Sequence, residues 1–230
     1  MRVFLRWQAS IAALVAAAAA SAAPAAPAAF ADAAAKAIYG VLPREPGRFE
    51  LAADDAMPVI LPSGAATRDD TKEGTLECTP RATWRAAGGG DTAFGLFSAS
   101  VCGDGARILA ESRGIGAAPW LKEAIAQMKD ANARRRSGVV FSDDKLPGGA
   151  ELFFYPLLLK GMDGDRLVWT AALVDKGAAR AVVLQVVPDE NCDEPRSPYA
   201  GYALCDDPQA IMKRLVVAIA RTPQAVLPRR

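Results

Sequence analysis

The stretch ELFFYPLLLKGMDGDRLVWTAALVDKGAARAVVLQVV, residues 151–187, decides the fold. Short turns containing Gly and Asp separate three apolar runs in it, which predicts three antiparallel strands joined by tight hairpins. The runs cover residues 151–159, 166–174 and 180–187. In the middle run both alternating sets of side chains are apolar, so both faces of the sheet need cover by helices or by a second sheet.

Pro156 interrupts the first of these runs. Because proline has no backbone N–H to donate, within sheets it is confined to edges, strand starts and bulges. The first strand is therefore expected to lie at an edge of the sheet or to carry a bulge at Pro156.

Helical patterns lie on both sides of this region. Residues 32–41 are rich in Ala and predict a short helix, and a longer helix is expected from Pro119 to about Arg135. Asp207 and Pro208 are typical of a helix start, where Asp caps the helix and Pro occupies its first turn. In this last helix a buried stripe is predicted at Ile211, Leu215, Ala218 and Ile219, and water-facing side chains at Lys213, Arg214 and Arg221.

Shorter runs upstream predict further strands of an antiparallel meander. They lie at residues 49–51, 58–61, 75–78, 83–86, 93–101 and 107–110. The expected fold class is α+β, with an antiparallel meander sheet or sheets and with one central helix and one C-terminal helix packed on the sheet.

The N-terminus carries the pattern of a secretory signal peptide. Arg2 and Arg6 precede an uncharged apolar stretch at residues 11–20, and Ala-Phe-Ala at residues 29–31 offers small residues at the two positions that a signal peptidase recognises. Cleavage is expected directly after this tripeptide, and an earlier cut near Ser-Ala-Ala at residues 21–23 fits the same pattern. The mature protein is then expected in the periplasm or the medium.

This pattern divides the chain into three parts, with the cleavage site left open between about residues 23 and 31. They are a signal peptide, residues 1–31, a single α+β domain, residues 32–222, and a loose C-terminal tail, residues 223–230.

An uncleaved membrane anchor is the alternative for the N-terminal segment. A spanning helix needs about 20 predominantly apolar residues. The segment is mostly weakly hydrophobic Ala, and Pro24 and Pro27 interrupt it. Because no later stretch is apolar over such a length, no stable membrane span is expected after cleavage.

The charge balance and the amino-acid composition exclude several classes of function. The chain has 27 basic and 26 acidic residues, and removal of residues 1–31, which hold two Arg and no acid, leaves 25 basic residues against 26 acidic. Such a neutral domain has no general attraction for nucleic acid. The sequence contains no His, which excludes catalytic triads with His, zinc sites with His and general acid–base catalysis by His.

The four Cys of the chain predict disulfides, because an even number is typical of exported domains. Three pairings are possible. Cys78–Cys102 and Cys192–Cys205 are favoured, because both bonds close short loops. A zinc site made of four thiolates is the alternative, but such sites use closely spaced pairs such as Cys-x-x-Cys, which are absent here.

The loop between Cys192 and Cys205 is the candidate partner-binding site. It holds Arg196, Tyr199 and Tyr202 among Pro and Gly residues. Tyr and Arg are favoured contact residues at protein interfaces, and loops on rigid scaffolds often carry function. The expected partner is an unidentified periplasmic protein or a small ligand, and the alternative is a surface loop that only needs bracing.

Three further motifs are weaker. Gly114-Ile115-Gly116 lacks the third Gly of a dinucleotide fingerprint and is expected to be a plain turn between a strand and a helix. Ser142-Asp143-Asp144-Lys145 fits Ser-x-x-Lys, but the accompanying motifs of penicillin-recognising enzymes are missing. The acidic residues at 163–165 and 189–194 could offer oxygens to Ca²⁺ but do not fit the EF-hand pattern. No cofactor, metal site or catalytic residue is therefore assigned.

These observations favour a non-enzymatic binding or interaction domain of the periplasm that uses loops braced by disulfides. One alternative is a carboxylate-dependent hydrolase of the cell envelope, with Asp143, Asp144 or the acids before Cys192 as its catalytic groups. A second alternative is a structural envelope protein, which would expose a broad apolar patch.

Overall fold

The three hairpin strands lie in a seven-stranded antiparallel sheet in the structure, a computed structural model. The structure describes residues 26–42, 49–51, 59–62, 73–86, 94–119, 123, 126, 142–161, 164–175, 177–188, 203–223 and 225. The strands are β1 Phe49–Leu51, β2 Val59–Pro62, β3 Glu73–Leu76, β4 Arg81–Ala86, β5 Phe94–Cys102, β6 Ser142–Lys145, β7 Glu151–Gly161, β8 Gly164–Val174 and β9 Ala181–Pro188. The helices are α1 Ala26–Val41, α2 Gly105–Ala117, α3 Ala203–Asp206 and α4 Pro208–Ala220.

The order of strands in the sheet is β1-β4-β5-β9-β8-β7-β6, and β2 and β3 form a separate two-stranded sheet. β7, β8 and β9 pair in sequence as consecutive hairpins, as predicted. β9 then pairs with β5, which joins the C-terminal meander to the strands of the N-terminal half. The α+β class and the antiparallel meander are confirmed, and the C-terminal helix α4 packs on the sheet as predicted.

Each face of the sheet is covered by different elements. Helices α1 and α4 pack on the face that carries Phe97, Trp169 and Leu184. Helix α2 and the β2–β3 hairpin cover the opposite face, which carries Phe153 and Val183. The sequence predicted this double cover, and the structure supplies it with helices on one side and with a helix and a small second sheet on the other.

Strand β7, which carries Pro156, is the second strand from the edge of the sheet, because β6 pairs on its outer side. The described pairing of β6 with β7 runs from Glu151 to Phe154. Pro156 follows two residues after Phe154, the last residue of β7 in these pairs. It lies opposite Trp169 of β8, the neighbouring strand on the inner side of β7. Pro156 therefore lies beyond the described β6–β7 pairs, where its missing N–H takes no hydrogen bond from the described part of β6.

Helix α2 lies where a strand was predicted at residues 107–110, and that prediction is wrong. The Asp104 side chain caps the helix by accepting a hydrogen bond from the backbone N–H of Arg107 at 3.1 Å. Ile108, Ser112 and Ile115 are buried at helical spacing. A run of four mostly apolar residues does not distinguish strand from helix by itself, and the cap and the longer period decide the helix here.

The predicted helix from Pro119 to Arg135 falls mostly outside the described residues. Pro119, Glu123 and Ala126 are described, and all three are helical. The Gly-Ile-Gly motif at residues 114–116 lies inside α2, so the prediction of a turn there is wrong.

The C-terminal helix α4 begins as the sequence predicts. The Asp207 side chain accepts a hydrogen bond from the backbone N–H of Ala210 at 3.1 Å, and Pro208 occupies the first turn. The buried stripe contains Ile211, Leu215 and Ile219 as predicted, together with Met212 and Val216. Beyond the helix, Ala225 is still buried against the same core.

The disulfide Cys78–Cys102 is confirmed, with the two Cα atoms 4.5 Å apart. Cys78 follows β3, and Cys102 is the last residue of β5. The bond therefore ties the β2–β3 hairpin to the central sheet. None of the helices in the described part of the chain is long and apolar enough to cross a membrane.

Replacement of Gly105 by Ala is expected to destabilise the domain by about 1–3 kcal/mol, because added atoms in a packed site force shifts of the backbone. A Cβ atom at Gly105 would lie 2.7 Å from the carbonyl oxygen of Ala178 and 2.8 Å from that of Arg180. Chemical unfolding in urea measures the effect.

Gly114→Ala is the matched control for Gly105→Ala, because the same helix leaves open space around Gly114. We expect this variant to gain up to about 1 kcal/mol from the better helix propensity of Ala. Equal unfolding midpoints for the two variants would contradict the tight packing of α2 against the β8–β9 turn.

Candidate functional site

The predicted partner-binding loop lies largely outside the described residues. Arg196, Tyr199, Tyr202 and Cys192 all belong to the undescribed stretch 189–202. Cys205 lies in α3, but its side chain is not described. The Cys192–Cys205 disulfide and the three contact residues stay predictions.

Both flanks of this stretch are described and firmly held. β9 ends at Pro188, which is paired with Phe94 of β5. On the other side the chain re-enters at α3, where Leu204 is fully buried, and continues directly into α4. The stretch therefore leaves from a central strand and returns to a helix of the core.

The acidic motif of residues 142–145 forms strand β6, and it meets the C-terminal helix α4. Ser142 and Asp144 lie opposite Phe154 and Leu152 of β7, on the face of the sheet that α4 covers. Lys213 Nζ of α4 donates to Ser142 Oγ at 2.5 Å and forms an ion pair with Asp144 Oδ2. Ser142 Oγ lies 3.4 Å from the same carboxylate oxygen.

Lys213 was predicted to face water, and that prediction is wrong. Its side chain is only 15% exposed, whereas that of Asp144 is 50% exposed. The alkyl part of a lysine can cover apolar surface while its amine reaches the edge, which places the charge beside β6. The sequence carries no signal for this contact, because Ser142 and Lys213 are 71 residues apart.

The chemistry of Ser142, Asp144 and Lys213 favours a structural contact between β6 and α4 over a catalytic pair. A lysine that activates a serine must offer a neutral amine. A carboxylate in contact with the amine favours its charged form. The contacts with Ser142 and Asp144 join Lys213 of α4 to the edge strand β6.

A row of polar side chains crosses the opposite face of the sheet. Neighbouring strands place them directly opposite each other, from β4 through β5, β9 and β8 to β7. The members of this polar row are Thr83, Ser98, Gln185, Thr170 and Tyr155, and all are buried. Sequence reasoning missed it, because one polar residue in each apolar strand carries meaning only once the register is known.

Gln185 is the centre of the polar row. Its Oε1 accepts a hydrogen bond from the backbone N–H of Ile60 at 3.0 Å, and its Nε2 donates to the carbonyl oxygen of Ile60 at 2.9 Å. Nε2 also donates to Thr170 Oγ1 at 3.1 Å. The side-chain amide thus pairs with strand β2 as a neighbouring backbone would, and it holds the hairpin on the sheet.

Tyr155 ends the row beneath helix α2. Its hydroxyl accepts a hydrogen bond from Ser112 Oγ at 3.2 Å, and both residues are buried. Burial raises the pKa of Tyr155 from 10.0 to about 12, the hydrogen bond with Ser112 lowers it, and the negative charge of Glu111 raises it. At neutral pH the phenol is therefore uncharged and serves as a structural hydrogen-bond partner.

Two buried polar atoms have no hydrogen-bond partner within the described part of the chain, Ser100 Oγ and Trp169 Nε1. They lie on opposite faces of the sheet, since Ser100 pairs with Val183 and Trp169 with Val186. They therefore do not converge on a common site.

No metal centre is found among the residues that the structure describes, where no three acidic or Cys side chains come together. The acidic stretch 189–194 and Asp163 are not described. The calcium alternative of the sequence thus falls outside the described residues.

No known protein family matches this sequence, and no curated protein matches it.

Replacement of Gln185 by Leu is expected to destabilise the domain by about 2 kcal/mol, because it leaves the backbone groups of Ile60 without their partners. Urea unfolding measures the loss, and amide hydrogen exchange at Ile60 should become faster. Ser100→Ala is the control on the same face. It removes a hydroxyl that has no partner among the described residues, so its effect should stay within about 0.5 kcal/mol. A Gln185→Leu variant as stable as Ser100→Ala would contradict the role of the Gln185 side chain in holding the β2–β3 hairpin on the sheet.

Stability should fall between pH 10 and 12 because of Tyr155, whose pKa is raised from 10.0 to about 12. The unfolded phenol ionises first, so the contribution of this group is complete below pH 10 and is lost as the pH rises through this window, in total about 3 kcal/mol. Urea unfolding of wild type and of Tyr155→Phe across this pH range isolates it, because other Tyr and Lys residues titrate in both. The same slope in both proteins would refute the assignment.

Proposed function

We propose that this protein is an exported, disulfide-stabilised binding domain without catalytic activity, which acts in the periplasm or after secretion. Its binding site is the stretch between β9 and α3, with Arg196, Tyr199 and Tyr202 as contact residues. Its partner is a periplasmic protein or a small ligand.

The location is supported by the Cys78–Cys102 bond together with the N-terminal leader pattern. Both Cys are buried, so the bond forms part of the core that covers one face of the sheet. Structural disulfides persist in oxidising compartments and are rare in the cytosol. An apolar leader with Arg2 and Arg6 in front of it supplies a route to such a compartment.

The anchoring of residues 189–202 carries the binding proposal. The stretch starts at the end of β9, which is paired on both sides by β5 and β8. It ends at α3, whose Leu204 is buried in the main core. A rigid scaffold at both ends limits the conformational entropy that the loop loses when a partner binds.

The internal pairing of reactive groups supports a role without catalysis. The Lys213 amine is held by Asp144 and Ser142, and the Tyr155 phenol is held by Ser112 under helix α2. These contacts tie elements of the fold to each other, so the groups serve stability.

A pull-down tests the binding proposal. Mature protein is immobilised and exposed to periplasmic extract, and bound material is compared between wild type and the double variant Tyr199→Ala/Tyr202→Ala. We expect the double variant to lose at least about tenfold of the bound partner, since interface aromatic residues often contribute 2 kcal/mol or more. Tyr39→Ala is the matched control, because Tyr39 lies on α1 and is 37% exposed. Equal recovery by all three proteins would refute the loop as the binding site.

A hydrolase of the cell envelope is the second candidate. The contact that favours it is not the carboxylate pair expected from the sequence but the 2.5 Å distance between Ser142 Oγ and Lys213 Nζ. In this arrangement Ser142 would attack an ester or amide carbonyl, and Lys213 would have to take up its proton. Treatment with a fluorophosphonate probe distinguishes the two functions. The binding domain should stay unlabelled. Labelling that disappears in Ser142→Ala but persists in Ser100→Ala would favour the hydrolase.

The structural envelope protein, the third possibility, would show a broad exposed apolar surface. Among the described residues, Tyr39 is the one large hydrophobic side chain that is exposed. No observation therefore favours this role over binding.

A further inference from the structure

The first helix begins inside the segment that the leader pattern would remove. α1 starts at Ala26, whereas cleavage after residues 29–31 would leave Asp32 as the first residue of the mature chain. Phe30 is 0% exposed and Ala31 is 4% exposed, and both belong to the main core. A cut at that point would therefore take away residues that the fold buries.

We infer that the leader is cut upstream of Ala26, near the Ser-Ala-Ala of residues 21–23, so that the mature domain retains Phe30 as a core residue. This inference rests on the proposed export of the protein. It deepens that proposal by assigning the processing site.

The apolar stripe of α1 supports this assignment. Phe30, Ala34 and Ile38 are fully buried at a spacing of four residues, and Leu42 continues the stripe just past the helix. Asp32 and Lys36 lie between them and are exposed. The amphipathic pattern thus includes Phe30, and cleavage after Ala31 would divide a single buried face.

The surroundings of α1 show what the lost residues would uncover. The helix packs on α4 and on β4. Phe30 shares the core with Trp84 of β4 and with Leu215 and Ile219 of α4. Because interiors are close-packed, loss of a fully buried Phe leaves a cavity that its neighbours fill only in part.

The sequence upstream of α1 also offers small residues for recognition by the peptidase, and cleavage there would not remove Phe30 from the core. Small residues occupy every position from Ala16 to Ala23, so the recognition pattern is available ahead of the helix. Pro24 and Pro27 then lie between this stretch and the buried Phe30. Proline is tolerated in the first turn of a helix, so Pro27 is compatible with a start at Ala26.

The first test determines the N-terminus of the wild-type protein, expressed as the full precursor and recovered from periplasm or medium. N-terminal sequencing and intact mass should place the first residue between Ala22 and Ala26. An exported protein that begins at Asp32, or that retains Met1, would overturn the inference while leaving export intact. An unprocessed protein confined to the cytoplasm would refute export, and this inference with it.

The second test uses the stability of the exported protein, with full precursors that carry Phe30→Ala or Lys36→Ala. If Phe30 is retained, the Phe30→Ala protein should melt about 10 °C below wild type, and Lys36→Ala, an exposed position on the same helix, should stay close to wild type. If the peptidase cuts after Ala31, the Phe30→Ala substitution is absent from the mature protein and the Tm stays unchanged. Failure to recover folded Phe30→Ala protein while Lys36→Ala is recovered would also support retention, and the wild-type N-terminus decides independently.

Discussion

The burial of strands β8 and β9 on both faces is the constraint on which the rest of the structure depends. Their alternating side chains enter two different cores, with Leu184 in one and Val183 in the other. Apolar surface on both sides of a sheet is stable only when both sides are kept from water. Helices α1 and α4 satisfy this need on one face, and α2 with the β2–β3 hairpin satisfies it on the other. The β2–β3 hairpin forms a separate sheet of two strands, and the Cys78–Cys102 bond and Gln185 hold it on the large sheet.

How far the sequence predicts this fold depends on whether a pattern is local. The three hairpin strands and the cap of α4 by Asp207 follow from short-range signals, and they are confirmed. The pattern at residues 107–110, inside helix α2, predicts a strand, because four mostly apolar residues are too few to show a helical period. The start of α1 was hidden by its Ala-rich composition, which suits a leader and a helix equally well.

The contacts at the candidate sites are long-range, which explains why sequence reasoning missed them. Lys213 and Ser142 approach each other only after α4 has packed across the sheet toward its β6 edge. The polar row exists only once five strands have taken their register. The polar row also makes a change in strand register energetically unfavourable. A slip by one residue would turn Thr170 and Gln185 toward the apolar face under α4, where a buried amide would need new partners.

The clamp between Gln185 and Ile60 has a consequence for which sequences this fold tolerates. Gln185 hydrogen-bonds to the main-chain N–H and carbonyl oxygen of Ile60, so these two bonds do not depend on the identity of the side chain at position 60. The hairpin can therefore accept many substitutions there as long as the new side chain packs beside α2. Position 185 has no such freedom, because an amide that both donates and accepts is needed to take the place of a missing strand. Substitutions should therefore be tolerated more readily at position 60, in the hairpin, than at position 185, in the sheet beneath it.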